Sequence, residues 1–379
     1  MSDKQPIPFL DLKAQQRRIA ADLRRRLDTV LEHCQFVLGP EVGELEAALA
    51  KFCGARYCVA VSSGTDALQI AMMAEGIGRG DAVFLPAFTY TATAEVPLLL
   101  GATPVFVDVD PRSFQIDPAH LAQRIEQVRG AGTLRPQAII GVDLFGQAAD
   151  WPALLEIARR DELFLLDDLA QSFGASLGGR MLGSQADATA TSFFPSKPLG
   201  AYGDGGALFT EDESRAELYR SLRTHGEGKT RYEVLRTGVN GRLDSIQAAV
   251  LLAKLAVFPE ELEARERIAG AYDRRLGNAV LTPQRVPDST SAWAIYSILL
   301  PDEGARDRTQ AALRADGVPS AIYYPRPLHR QPAYSAAHDG TALPVSEDLA
   351  GRILALPIHP DLTDDDVERV CAAVLGTVA

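Results

Sequence analysis

Leu163-Phe164-Leu165-Leu166 is an apolar run without a polar break, and it ends in Asp167-Asp168-Leu169-Ala170-Gln171-Ser172. A strand buried on both faces reads this way, and such strands belong to parallel sheets covered by helices. The run has company. Tyr57 to Val61, Ala82 to Leu85, Pro104 to Asp108 and Ala138 to Leu144 read as strands, and helical segments begin at Thr65, after Thr93 and at Trp151. This alternation is the signature of an α/β fold. The glycine-bearing polar stretch from Gln127 to Arg135 reads as a loop or helix end. From Ala14 to Leu31, Ile19, Leu23, Leu27, Val30 and Leu31 share one helical face opposite arginines, which predicts an amphipathic surface helix able to pack on a partner subunit. Leu243 to Tyr272 reads as a long helical segment broken or kinked near Pro259. The expected division is an N-terminal arm and large domain over residues 1–255, then a smaller α+β domain over 256–379.

Composition sets the outer limits. A chain of 379 residues with 46% hydrophobic content can bury a large core and split into two domains. A net charge of −12 argues against a nucleic-acid surface, although local arginines can still form a pocket for an anion. Cys34, Cys53, Cys58 and Cys371 show no zinc spacing, so reduced thiols and no bound metal are expected. His225, His329 and His359 show no metal spacing either. The N-terminus lacks an apolar signal region and no apolar run is long enough for a membrane, so the expected place is the cytoplasm.

Three segments carry chemistry, each at a predicted strand end. Side chains alternate along a strand, so only one of Asp167 and Asp168 can enter a given pocket, and carboxyl ends of strands are where α/β sheets hold ligands. The plainer reading makes Asp168 a helix N-cap with Gln171 three residues on. Gly174, Gly178 and Gly179 would keep such a helix short. In the second segment a strand runs into a helix through Ser62-Ser63-Gly64-Thr65, which offers free N–H groups and hydroxyls to a phosphate. Many strand–helix junctions look similar, and neither a Walker lysine nor a nucleophile elbow is present. In the third, Lys197 lies between two prolines and ahead of Gly200, Gly203, Gly205 and Gly206, on a tight irregular backbone. A lone lysine is ordinarily surface charge. Together the segments supply a phosphate seat, a carboxylate and a lysine, the parts that pyridoxal phosphate needs. Gly76-Ile77-Gly78-Arg79-Gly80 follows a helix, not a strand, and reads as a helix C-cap.

The wording of Ser63-Gly64-Thr65-Asp66-Ala67-Leu68, Asp168-Leu169-Ala170-Gln171-Ser172, Ser192-Phe193-Phe194-Pro195-Ser196-Lys197-Pro198-Leu199-Gly200 and Gly238-Val239-Asn240-Gly241-Arg242-Leu243-Asp244 resembles the DegT/StrS family of sugar-nucleotide aminotransferases. The resemblance runs from Phe9 to Pro360. It implies fold type I, with a mostly parallel seven-stranded sheet in the large domain. It implies Lys197 as the residue that carries pyridoxal phosphate and moves protons, and Asp168 as the acid on the ring nitrogen. Gly64, Thr65 and Ser192 would hold the phosphate together with Asn240 of the neighbouring subunit, so the active sites of a homodimer would be shared. Tyr90, in preference to Phe88, would stack on the ring, with Gln171 beside it. Arg242, Tyr323, Tyr324, His329 and His225 are the expected substrate contacts. The implied donor is glutamate and the implied acceptor a keto-sugar nucleotide. The segment around Lys197 is most similar to members acting on UDP-2-acetamido-2-deoxy-3-oxo-glucuronate, whose amino sugar goes to bacterial surface polysaccharide. Aminotransferases for other keto-sugars remain open. A sugar dehydratase would carry histidine in place of Lys197. An aldolase-like enzyme is disfavoured by the wording around Lys197, and a non-catalytic regulator would be expected to lack Lys197 or Asp168.

Overall fold

The computed structural model describes residues 5–230 and 232–378. Seven strands form the main sheet: β1 (Tyr57–Val61), β2 (Asp81–Pro86), β3 (Thr103–Val107), β4 (Arg135–Val142), β5 (Phe164–Asp168), β6 (Ala188–Ser192) and β7 (Gly206–Thr210). Their order across the sheet is β1-β7-β6-β5-β4-β2-β3. Only β7 runs antiparallel to its neighbours. The carboxyl ends of the other six therefore lie along one edge, and Val61, Asp168 and Ser192 all sit there.

Among the described residues, twelve α-helices accompany the strands: α1 (Leu12–His33), α2 (Pro40–Cys53), α3 (Gly64–Ala74), α4 (Ala92–Leu99), α5 (Pro118–Ala131), α6 (Trp151–Asp161), α7 (Glu213–Leu222), α8 (Ser245–Leu255), α9 (Phe258–Leu276), α10 (Glu303–Ala315), α11 (Pro344–Arg352) and α12 (Asp364–Val378). The strand pleat divides the apolar residues between two cores. Phe84, Ile139 and Leu165 go to one face of the sheet, and Val83, Leu85, Ile140 and Leu166 to the other. Strands buried on both faces are thus continuous apolar runs, which is why β5 was readable.

A third core is built from Ile268, Tyr272, Trp293, Tyr296, Leu313, Leu354 and Val370, around the antiparallel pair β8 (Tyr296–Leu299) and β9 (Ile353–Leu356). The helical segment predicted to break near Pro259 does so between α8 and α9, with Pro259 in the first turn of α9, where its missing N–H is not needed. Two features differ from expectation, the arm and helix α2. The arm, grouped with the large domain, puts Ile7 into the third core and donates its N–H to Gly317 O at 3.1 Å. The stretch read as a loop or helix end holds the end of α5 at Ala131, and β4 begins at Arg135. Helix α2, starting on Pro40 and closed by Gly54 at φ 75°, was not anticipated. No described helix is long and apolar enough to cross a membrane.

Candidate active site

Asp167 and Asp168 leave β5 on opposite faces, and Asp168 alone of the two lines a cavity of about 410 Å³ at the carboxyl edge of the sheet. No helix starts at Asp168. Its Oδ1 instead accepts the N–H of Ala170 at 3.2 Å, and its Oδ2 accepts the hydroxyl of Thr93, on α4, at 3.0 Å. Burial pushes the Asp168 carboxyl up, and the nearby Lys197 ammonium, with the two hydrogen bonds, opposes that. Lys197 lies across the same cavity. Burial pushes its amine below the ordinary lysine value, while Asp168 pulls the other way. A depressed amine is what a lysine base requires at neutral pH.

The turn that carries Lys197 is braced on several sides. Lys197 N–H donates to Phe194 O at 2.8 Å and Ala201 N–H to Phe193 O at 2.7 Å. A side chain at Gly200 would place its Cβ 2.6 Å from Pro195 O, so only glycine fits. From α8, the buried Lys254 Nζ donates to Gly200 O at 2.6 Å and lies 4.5 Å from the centre of the Tyr202 ring. Burial pushes Lys254 down to about 8.

Helix α3 starts at the end of β1 with Ser63 as N-cap, its hydroxyl accepting Asp66 N–H at 3.0 Å. The first-turn N–H groups of a helix lack intrahelical acceptors and present a partial positive charge. They meet the end of β6 at very close range. A Cβ on Gly64 would stand 2.6 Å from Cβ of Ser192, and one on Gly206 would stand 2.4 Å from Ser63 O. Gly64, Thr65 and Ser192 all line the cavity. This close approach brings the first turn of α3 and the Ser192 hydroxyl to one wall of the cavity, the donor set of a phosphate seat. Gly206→Ala is expected to cost at least about 1–3 kcal/mol of stability through overpacking. Thermal unfolding checks it, with a midpoint lowered by several degrees.

Tyr90 lines the cavity, is 53% exposed, and has its ring centre 5.9 Å from Lys197 Nζ. Phe88 is fully buried and packs edge-on to Tyr324, so Tyr90 is the ring available for stacking. Gln171 caps no helix. Its Oε1 accepts Phe145 N–H at 2.8 Å and its Nε2 donates to the Tyr324 hydroxyl at 2.9 Å. Tyr323 and Tyr324 both reach the cavity wall.

Four expected contacts are not on that wall in a single chain. Asn240 and His225 are exposed, and Arg242 pairs its backbone with Val61. His329 is corrected. It is 2% exposed, bonds Glu347 at 3.0 Å and packs on Phe106 and His338. The turn at Leu328, whose N–H donates to Ala87 O, sends it away from the cavity. Sequence reasoning missed Thr93, Phe145, Phe9 and Arg265. Phe9 and Arg265 line the cavity, and Arg265 Nη1 donates to Trp293 O and Ile358 O.

A phosphate cradle, an exposed aromatic ring, a buried carboxylate and a depressed lysine amine converge on one cavity, and these residues fit pyridoxal phosphate. The class so defined is the fold-type I enzyme that uses this cofactor. The chain belongs to the DegT/DnrJ/EryC1/StrS aminotransferase family, whose sequence model matches residues 17–375. It is 46% identical over 369 residues to the UDP-2-acetamido-2-deoxy-3-oxo-D-glucuronate aminotransferase of Pseudomonas aeruginosa, covering 97% of this chain and 99% of that one. A DegT DnrJ EryC1 StrS aminotransferase from Brucella abortus superposes with a TM-score of 0.96 at 46% identity, over 98% of this chain and 100% of that one. NtdA of Bacillus subtilis with bound cofactor PMP superposes with a TM-score of 0.89 at 28% identity, over 100% of this chain and 87% of that one.

Proposed function

We propose that this enzyme moves an amino group from glutamate to the 3-keto group of UDP-2-acetamido-2-deoxy-3-oxo-glucuronate, in the cytoplasm, for a bacterial surface polysaccharide. The observation that carries the reaction type is Lys197 facing Asp168 across one cavity beside the cradle of Gly64 and Ser192. The sugar is supported by the 46% identity to the Pseudomonas enzyme over nearly the whole chain.

Bound pyridoxal phosphate supplies an aldehyde that captures amines and a ring that accepts electrons. The chain's own residues do the rest. Gly64, Thr65 and Ser192 seat the phosphate. Tyr90 covers the ring, and Gln171 is held beside it by Phe145 and Tyr324. Asp168 holds a proton at the ring nitrogen. The neutral Nζ of Lys197 accepts the α-proton of the donor, and in the second half it returns a proton to the keto carbon of the sugar. Tyr323 and Tyr324 form the wall on the sugar side.

The same reading includes a homodimer whose partner supplies Asn240 to the phosphate, and Arg242 and His225 to the substrate. Exposed Phe36, Val37, Phe194, Tyr202, Val234 and Leu235 support a covered apolar face. If the sites are shared, mixing inactive Lys197→Ala with inactive Asn240→Ala chains restores activity, because a mixed dimer has one intact site. Size measurement by light scattering and an activity assay on the refolded mixture check this; no recovery with mixed dimers present counts against sharing.

The assignment itself is tested with a panel of amino donors and keto-sugar nucleotides read by mass spectrometry. Glutamate with the 3-keto uronate should give the 3-amino product. A 4-keto acceptor turned over in its place would move the enzyme to another branch of the family.

A further inference from the structure

Asp143 follows β4, and Asp167 lies on the face of β5 turned away from Asp168. Both are fully buried. Asp143 Oδ1 accepts Ala149 N–H at 2.6 Å and Trp151 Nε1–H at 3.0 Å, and Asp167 Oδ2 accepts the amide of Gln185. Asp143 stands two residues beyond Gly141, the β4 partner of Asp167, so the two carboxyl groups share one face of the sheet on adjacent strands. The oxygens left over, Asp143 Oδ2 and Asp167 Oδ1, are buried and meet no donor among the described residues. Two neighbouring carboxylates out of water cannot readily both stay ionised, whereas one proton between them turns repulsion into a bond. We infer that Asp143 and Asp167 hold a single shared proton and act as a positioning pair for Asp168. The inference rests on the reading of Asp168 as the acid at the cofactor ring.

The pair reaches Asp168 through short links. Asp143 N–H donates to Asp168 O at 3.2 Å, and Ser172 Oγ donates to Asp143 O at 2.6 Å. The bonds to Ala149 and Trp151 close the loop that carries Phe145, whose N–H fixes Gln171. One proton thus ties the loop after β4 to the end of β5, where the ring-binding groups depart.

The groups facing the pair are Asp168 on β5, Thr189 on β6, Gln185 before β6, Trp151 on α6 and the Ala149 N–H. Burial is the largest cause that raises both carboxyls, and the charge of Asp168 adds to it. Asp143 is pushed up to about 8, against the pull of Ala149 and Trp151. Asp167 stands well above its usual value. Folding therefore takes up a proton that the unfolded chain releases near 3.8, so the stability it confers is complete below that pH and is lost as pH rises to about 8.

The test uses the full chain with bound cofactor and the variants Asp167→Asn and Asp143→Asn. An asparagine amide donates permanently to the remaining carboxylate, so the bond survives without titrating. Wild type should show the infrared carbonyl stretch of a buried protonated carboxyl at neutral pH, and each asparagine variant should lack it. Between about pH 5 and 8, the folding equilibrium of each asparagine variant relative to wild type should shift by about tenfold per pH unit in the variant's favour. Asp167→Ala, which removes the bond, should weaken cofactor binding by about tenfold or more, while Asp167→Asn stays within about twofold. Absence of the carboxyl stretch in wild type, or parallel pH curves for wild type and both asparagine variants, overturns the shared proton. Unchanged cofactor affinity in Asp167→Ala overturns the positioning role. Failure of the underlying reading shows separately, as unchanged turnover in Asp168→Asn.

Discussion

Lys197→Ala should fold, keep its phosphate cradle and lose at least about 10⁴-fold in turnover. Loss of a general base alone accounts for about 10²- to 10⁴-fold, and the same residue is also the covalent anchor of the cofactor, so the two losses fall together. Nothing near Lys197 can take over. The other cation on the cavity wall among the described residues is Arg265, whose Nη1 is committed to the carbonyl oxygens of Trp293 and Ile358. The substitution should leave the turn intact, because Phe194, Phe193 and Lys254 brace it through backbone atoms that the side chain does not provide.

Three measurements read the outcome. Single-turnover assays with glutamate should show no conversion. The long-wavelength absorbance that the cofactor gains on joining an amine should be missing from the variant. Asp168 should also respond, because the Lys197 ammonium holds its carboxyl down. Without it, the carboxyl moves further up, and cofactor affinity should fall at neutral pH. Near-normal turnover in Lys197→Ala would remove the basis of the assignment.

How far these roles were legible follows from the kind of contact each one rests on. Strand alternation, a local rule that needs no tertiary information, showed that only one of Asp167 and Asp168 could enter the pocket, and the family resemblance singled out Asp168. The Lys197 turn was legible for a similar reason: a proline on each side and Gly200 close behind state their backbone demands in the chain itself. Thr93 could not be found, since its bond to Asp168 joins positions 75 residues apart and depends on α4 packing beside β5. The pairing of Asp143 with Asp167 was hidden in the same way, by the adjacency of β4 and β5. His329 failed for the opposite reason. Closeness in sequence to Tyr323 and Tyr324 suggested a shared site, but the turn at Leu328 sends the tyrosines inward and the histidine to a separate packing cluster. Helix α2 did carry a signal that went unread, with Pro40 at its start and Gly54 at its end.

Asp168→Asn is expected to be the second most damaging change, with kcat lowered by at least about a hundredfold. Asparagine keeps the volume; its one oxygen can accept the Ala170 N–H while its NH2 donates to the Thr93 hydroxyl, so the cavity should hold its shape. What it removes is charge. A charged hydrogen bond is worth roughly 1.5–3 kcal/mol, and the upper value alone corresponds to about a hundredfold in rate. That charge is most valuable where it is least solvated, and Asp168 is 6% exposed. Removing it also acts on Lys197, because Asp168 is the group that pulls the lysine amine up against burial. The amine of the variant should therefore titrate still lower, and the acid limb of the pH–rate profile should move to lower pH even as the plateau falls. A merely structural role would not produce that combination, since a loosened cavity lowers the plateau without moving the limb in a set direction. Stopped-flow half-reactions with glutamate across pH separate the two. A plateau within a few fold of wild type, or a limb displaced to higher pH, would mean that Asp168 does not serve the ring nitrogen.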